Sequence, residues 1–265
     1  MEYTGYEFLN VTVPEERVLE ISLNDPRHLN ALNKKMIEEL LDITTKLVND
    51  HDYSAVIITG EGEKGFCGGL DVDGVFTPEC FSSVDTFYQA QYDLGNIMIN
   101  LRKMPQVVIA ACFGWCVGGG LTIPSAADIR IATSDVKFGG PFVKIKMGGA
   151  DLGTSYFLWR QVGSGVAADM LLTGRNMEAE EADRLGFVTD GLQENAEAVK
   201  AAARKKAHGI AKTDPTILQL TKEALNINLD MAGLENAILL EHRNQQMIIS
   251  KLWRKDDGSV IYGKE

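Results

Sequence analysis

Hydrophobic and polar positions along this chain follow two different periods. Near the start, Phe8 to Val13 and Val18 to Leu23 read as two strands separated by Pro14 and a charged turn. The period then changes. After Asn33, a residue suited to capping, Met36, Ile37, Leu40, Leu41, Leu47 and Val48 fall on one face at helical spacing. A strand at Ala55 to Thr59 follows, then a polar loop from Asp71 to Glu79 and a helix from Ser82 to Arg102. Gln106 to Cys112 and Ile129 to Ala132 read as strands again. Strand and helix alternate, which predicts an α/β fold.

From about Glu194 onward the strand signals stop. AEAVKAAARKKAHGIA, a helix opened by Asp214-Pro215, and LENAILLEHRNQQMII predict a helical tail. The expected organisation is a core over residues 1–195 and a C-terminal helical region over 196–265. The Leu, Ile and Met residues of that tail form an apolar patch unless it folds back on its own core or meets a neighbouring subunit.

Between Val107 and Ala127, twenty-one successive residues carry no charge, about the length that crosses a bilayer. Gly114, Gly118, Gly119, Gly120, Pro124 and Ser125 interrupt the run, so it reads as a buried strand, a Gly-rich turn and a buried helix start. Lys and Arg number 26 against 37 Asp and Glu, a net charge of −11. Such an acidic surface repels nucleic-acid backbones and anionic membranes, so neither is expected as a partner. The opening MEYTGYEFLN lacks a basic start followed by an apolar run, and Glu2 and Glu7 argue against an organellar leader, so the cytoplasm is the expected compartment. Cys67, Cys80, Cys112 and Cys116 are few for the length and are expected to be reduced thiols. Cys112 and Cys116 have no second Cys/His pair at zinc-site spacing, and no metal is expected.

Gly60-Glu61-Gly62-Glu63-Lys64-Gly65 spells GxGxxG after a strand, but FCGGLD follows instead of a helix, and two glutamates would repel a pyrophosphate. It reads as an exposed turn. Two other clusters carry more: Phe66-Cys67-Gly68-Gly69-Leu70-Asp71, and Gly114-Trp115-Cys116-Val117-Gly118-Gly119-Gly120. Glycines let main-chain N–H groups approach a ligand, and two such groups can form an oxyanion hole; tight strand-to-helix turns account for the same pattern.

Asn24-Asp25-Pro26-Arg27-His28-Leu29-Asn30-Ala31-Leu32, FCGGLD, GWCVGGG, Ala127-Asp128-Ile129-Arg130-Ile131-Ala132 and Leu172-Thr173-Gly174-Arg175 occur in this order. Together they resemble the enoyl-CoA hydratase/isomerase (crotonase) superfamily from about residue 6 to about residue 250. The resemblance implies a spiral of ββα repeats with a C-terminal helical region used in trimer assembly, and trimers pairing into hexamers. It further implies an acyl-CoA thioester substrate, no cofactor beyond the coenzyme A of that substrate, and thioester oxygen bound by the N–H groups of Leu70 and Gly119. Gly69 and Gly118 flank those donors. By the same resemblance Arg27 lies near the CoA phosphates and Leu29 at the adenine, whereas a solvated surface charge is the plain alternative for Arg27.

Family hydratases place glutamates two residues after the Gly-Gly-Gly run and after Gly-x-Pro. Thr122 and Phe142 stand there in this chain, so the usual two-glutamate route is not expected. Asp151, in Gly148-Gly149-Ala150-Asp151-Leu152-Gly153-Thr154, resembles an aspartate that dienoyl-CoA isomerases use for proton transfer and 4-chlorobenzoyl-CoA dehalogenases use as a nucleophile. It also precedes the helical pattern Tyr156, Leu158, Trp159, Val162, where a cap would hold its pKa down. The dehalogenase route further needs a histidine on the preceding helix, and 82–102 has none. Trp115, Phe142, Tyr88 and Tyr92 are candidates to wall an acyl pocket, with core packing as the alternative. The expected activity is enoyl-CoA isomerase- or hydratase-like, with Asp151 as proton shuttle. Thioester or C–C bond hydrolysis with Thr122 and Asp151 positioning water, or acyl-CoA binding without turnover, are the alternatives.

Overall fold

A computed structural model describes residues 3–231 and 233–252. A six-stranded sheet, order β1-β2-β3-β4-β6-β9, contains β1 (Leu9–Glu15), β2 (Val18–Leu23), β3 (Ala55–Gly60), β4 (Val107–Cys112), β6 (Ile129–Thr133) and β9 (Leu192–Gln193). Only β1 runs antiparallel, against β2; the other neighbours are parallel. A smaller sheet holds β5 (Trp115–Val117), β7 (Lys137–Gly139) and β8 (Asn176–Glu178).

The helices are α1 (Lys34–Val48), the short α2 (Val72–Val75), α3 (Val84–Lys103), α4 (Gly119–Ala126), α5 (Thr154–Gln161), α6 (Ser164–Thr173) and α7 (Ala179–Arg184). The C-terminal three are α8 (Ala196–Ala211), α9 (Pro215–Asn228) and α10 (Leu234–Leu252). Asn33 caps α1 by accepting from the Met36 N–H, and Asp214 caps α9 with Pro215 at its first position, both as the sequence predicts.

Each circuit of the chain lays one strand in the large sheet, one extended segment in the second layer, and then a helix. In the second layer Leu32 bridges Leu70, Cys67 bridges Cys116, and β5 pairs with β7, all in parallel. The strand pairs β3 with 66–70 and β4 with β5 are therefore successive turns of one ββα spiral. Leu70 and Gly119 close equivalent segments of those two turns.

Parallel strands must be covered on both faces, and β3 shows how. Val56 and Ile58 point into the main core with Met36, Leu40, Ile97 and Leu101, whereas Ala55 and Ile57 point to the other side. There Val199, Ala203 and Ala207 of α8 close the layer, so the first helix of the tail folds back over its own sheet.

Two local expectations change. Pro14 does not end the first strand: β1 continues to Glu15 as an edge strand, with a register shift between Thr12 and Glu15 that accommodates a residue lacking an N–H. The Gly-rich turn after β4 contains a further strand, β5, because Cys67 N–H donates to the Trp115 carbonyl and Val117 N–H donates to the Cys67 carbonyl. The GEGEKG run is an exposed bend at Gly62 to Lys64. Among the described residues no helix is long and apolar enough to cross a membrane. Residues 253–265 of the C-terminal region lie outside the described residues.

Candidate active site

The segment 66–70 is held on both sides by main-chain bonds. On one side are the pairings with β5; on the other, Leu32 N–H donates to the Gly69 carbonyl and Asp71 N–H donates to the Leu32 carbonyl. Asn30, fully buried, donates from Nδ2 to the Gly65 and Phe66 carbonyls and accepts the Asp25 N–H at Oδ1. Gly69 has φ +95°, and a β-carbon there would meet the Val117 carbonyl oxygen at 2.8 Å. A side chain is therefore excluded by both backbone conformation and space.

Gly118, at φ +57°, precedes α4, and a β-carbon on it would stand 3.4 Å from Gly69 Cα. Gly119 is the first residue of α4, where a main-chain N–H has no intrahelical acceptor. Neither the Leu70 nor the Gly119 amide donates to another group among the described residues. The helix dipole of α4 adds positive potential at this point.

Both residues border one cavity of about 230 Å³, lined by Leu70, Gly69, Gly118, Gly119, Phe142 and Asp151 among others. Its side chains are otherwise apolar apart from Gln91, which reaches it from α3. Asp151 and Gln91 are thus its polar side chains among the described residues. Asp71 stays local, accepting the Gly74 N–H at the start of α2.

Asp151 is half-buried, and that burial raises its pKa above the usual carboxylate range; the Leu152 N–H donating to Oδ1 at 2.8 Å partly offsets this. Oδ2 has no partner among the described residues. The capping alternative does not hold: the residue capping α5 is Gly153, and the Asp151 side chain makes no bond to the helix. Thr154 instead clamps the main chain, its Oγ1 donating to the Asp151 carbonyl at 2.9 Å and accepting the Asp151 N–H at 3.1 Å. The expected downward shift is consequently an upward one, which favours proton transfer over nucleophilic attack.

Other sequence candidates lie elsewhere. Thr122 is fully buried, and its hydroxyl donates to the Gly119 carbonyl at 3.0 Å, so it is not in the cavity wall. Trp115 is 41% exposed on β5 with Lys137 Nζ over its ring, also outside the cavity. Tyr88 and Tyr92 stack on the exposed face of α3. Leu29 packs beside Gly68 and its carbonyl accepts the Gly68 N–H; Arg27, two residues earlier, is exposed. Cys112 and Cys116 are free thiols in the core. Gln91 and Leu152 were not marked by the sequence as site residues. Gln91 repeats from Leu94 and Met98 at helical spacing, a signal for facing the core, whereas nothing local marks Leu152.

A family model described as Enoyl-CoA hydratase/isomerase matches residues 14–263. The (E)-benzylidenesuccinyl-CoA hydratase of Thauera aromatica is 37% identical over 226 residues, spanning 85% of this chain and 84% of that protein. The short-chain-enoyl-CoA hydratase of Clostridium acetobutylicum is 34% identical over 238 residues, spanning 89% of this chain and 87% of its own. A crystal structure of an enoyl-CoA hydratase from Bacillus anthracis aligns with a TM-score of 0.86 at 27% identity, covering 98% of this chain and 100% of that one.

Proposed function

The chain belongs to the enoyl-CoA hydratase/isomerase family, and from that premise we propose that it transforms the acyl group of a coenzyme A thioester through an enolate held by Leu70 and Gly119. The carrying observation is that two residues with unengaged amides and one with a half-buried carboxylate line the same cavity. Loss of a proton from the carbon next to the thioester, or addition of water to the β-carbon of an enoyl group, moves negative charge onto the thioester oxygen, and protonation of that carbon discharges it again. Two fixed N–H donors stabilise that charge more than they stabilise the ground-state carbonyl, roughly 3–4 kcal/mol per donor.

Asp151 is the proton shuttle. Burial raises the pKa of this carboxyl, which makes it a stronger base than an ordinary surface aspartate, and the proton it takes stays beside the acyl chain for return to a second carbon. Isomerisation of a double bond needs only this group, moving a proton between two carbons of the acyl chain. Hydration needs in addition a water placed over the β-carbon, and Gln91 is the other polar side chain available to hold one. The hydrolytic alternative relies on Thr122 beside Asp151, and the sealed position of Thr122 counts against it. The scheme calls for no metal or redox cofactor.

Arg27, exposed on the loop that Asn30 pins to the 66–70 segment, is the proposed contact for the CoA phosphates, with Leu29 beside the adenine. Assembly into trimers, and trimers into hexamers, would cover Leu234, Leu239 and Met247, which α10 leaves exposed. A cytoplasmic setting suits the free thiols. The test is incubation with enoyl-, dienoyl- and β-keto-acyl-CoAs read by mass. A gain of water marks hydration, and unchanged mass with a shifted double bond marks isomerisation. Cleavage, or binding without conversion, overturns the proposal.

A further inference from the structure

A second cavity, of about 470 Å³, adjoins the first. Leu152 lines both, and so does one face of α3: Gln91 and Leu94 border the first, then Gly95, Met98, Ile99 and Arg102 border the second. This stripe recurs at helical spacing over roughly 16 Å of helix, at 1.5 Å per residue. The first chamber alone is smaller than the roughly 300–1,000 Å³ usual for small-molecule sites, whereas the two taken together, with Leu152 as their shared wall, fall within that range.

The walls of the second chamber are apolar. Met98 and Ile99, the edge-to-face ring pair Tyr156 and Phe157, whose centroids lie 5.2 Å apart, and Leu229 line it. Two of its three charged side chains are engaged: Arg102 pairs with Asp128 at 2.9 Å, and Asp230 accepts from Arg160 and from the Tyr156 hydroxyl. Lys103 stands at the exposed rim. Gly95 leaves a gap in the helical wall, with nothing within 4 Å of where a β-carbon would be. An apolar group gains by filling such a space, and an anionic or strongly polar one finds little to bind.

Resting on the acyl-CoA reading above, we propose that the substrate acyl group carries an apolar extension, aliphatic or aryl, which passes Leu152 and lodges in the chamber between α3, α5 and the end of α9. Gly95 and Leu229 then set how much of the acyl group fits, while the reacting carbons stay beside Asp151.

Saturated thioesters test this without depending on which reaction occurs. Butyryl-, decanoyl- and 3-phenylpropionyl-CoA are titrated calorimetrically against wild type, Gly95→Phe and Leu229→Trp, which narrow the chamber from opposite walls. Wild type is expected to bind at least one of the two larger thioesters about tenfold or more tighter than butyryl-CoA, since its additional apolar carbons are buried in the chamber. A preference for decanoyl-CoA alone marks an aliphatic extension, and one for 3-phenylpropionyl-CoA alone an aryl one. Either filling variant should abolish the preference while butyryl-CoA affinity stays within about twofold. Equal affinities in wild type, or a preference that survives both variants, overturns the second chamber. Failure to bind any of the three, butyryl-CoA included, overturns the acyl-CoA reading itself.

Discussion

The carbonyl oxygen of Val117 occupies the space that a β-carbon on Gly69 would need, 2.8 Å from it. The two loops that present the Leu70 and Gly119 amides, the proposed thioester donors, are therefore locked together through main chain, with no side chain between them. Gly69→Ala must either separate the loops or abandon a backbone at φ +95°. Turnover should fall by about a hundredfold or more through the displaced Leu70 donor, measured as kcat on whichever acyl-CoA is converted. An unchanged kcat would detach these amides from the chemistry.

Asp151→Asn keeps the shape of the side chain and an oxygen to accept the Leu152 N–H, but it cannot take a proton. Turnover is expected to drop by about 10²–10⁴, with acyl-CoA affinity preserved because both amides remain. Calorimetric titration beside a kinetic assay separates the two effects, and rates like those of wild type remove Asp151 from the mechanism.

The same substitution has a stability signature with a definite sign. Burial raises the Asp151 pKa in the folded protein above its unfolded value, so folding favours the protonated form. Its stabilising contribution is complete below the unfolded value, about 3.9, and is lost as pH rises through the folded value. At pH 7 Asp151→Asn should therefore match or exceed wild type in thermal midpoint, and this advantage should vanish as the pH approaches 4. A variant less stable than wild type at pH 7 and equal to it at pH 4 would contradict this direction.

Gln91→Leu distinguishes the two reactions open to this site. Hydration should fall by about tenfold to a hundredfold if the amide holds the water, while exchange of the α-proton with deuterated solvent continues through Asp151. Parallel loss of both, or of neither, would show that Gln91 does not place the water.

Lys222 is buried where α9 meets the end of α3. Its ammonium donates to the Leu101 and Gln106 carbonyls and pairs with Asp128 at 2.8 Å. Lys222→Met leaves these acceptors short of a donor and should cost about 3 kcal/mol, the lower end for breaking a buried ion pair. Urea denaturation checks this; a midpoint within error of wild type would mean that Arg102 and the Val108 N–H satisfy Asp128 unaided.

Much of this was legible in the chain. Helical spacing from Met36 to Val48 and the caps at Asn33 and Asp214 declare themselves locally, because propensity, capping and burial agree there. The glycine clusters pointed to close main-chain approach, and the two residues singled out by the resemblance, Leu70 and Gly119, line one cavity with their amides unengaged. What escaped were relations between distant segments. Thr122 looks free to meet a ligand until its hydroxyl is seen bonded to Gly119. Asp151 reads as a cap because a carboxylate before an apolar helix usually is one; only the placement of Gly153 and burial of the carboxyl reverse that. The motif Asp128 to Arg130 also acquires a structural explanation. Asp128 joins α3, β4 and α9, and Arg130 donates to the Pro124, Ala127 and Phe187 carbonyls.

Leu70 and Gly119 terminate matching rungs of adjacent coils, and their alignment is set by the ladder from Leu32 through Cys67 to Cys116. The two polar side chains of the cavity, Asp151 and Gln91, are not parts of that ladder. In the proposed scheme the acid-base side chain is thus independent of the amide pair: it can stand on one coil or another while Leu70 and Gly119 keep their places. Thr122 and Phe142 on two coils, with Asp151 beyond them, are the outcome such modularity permits.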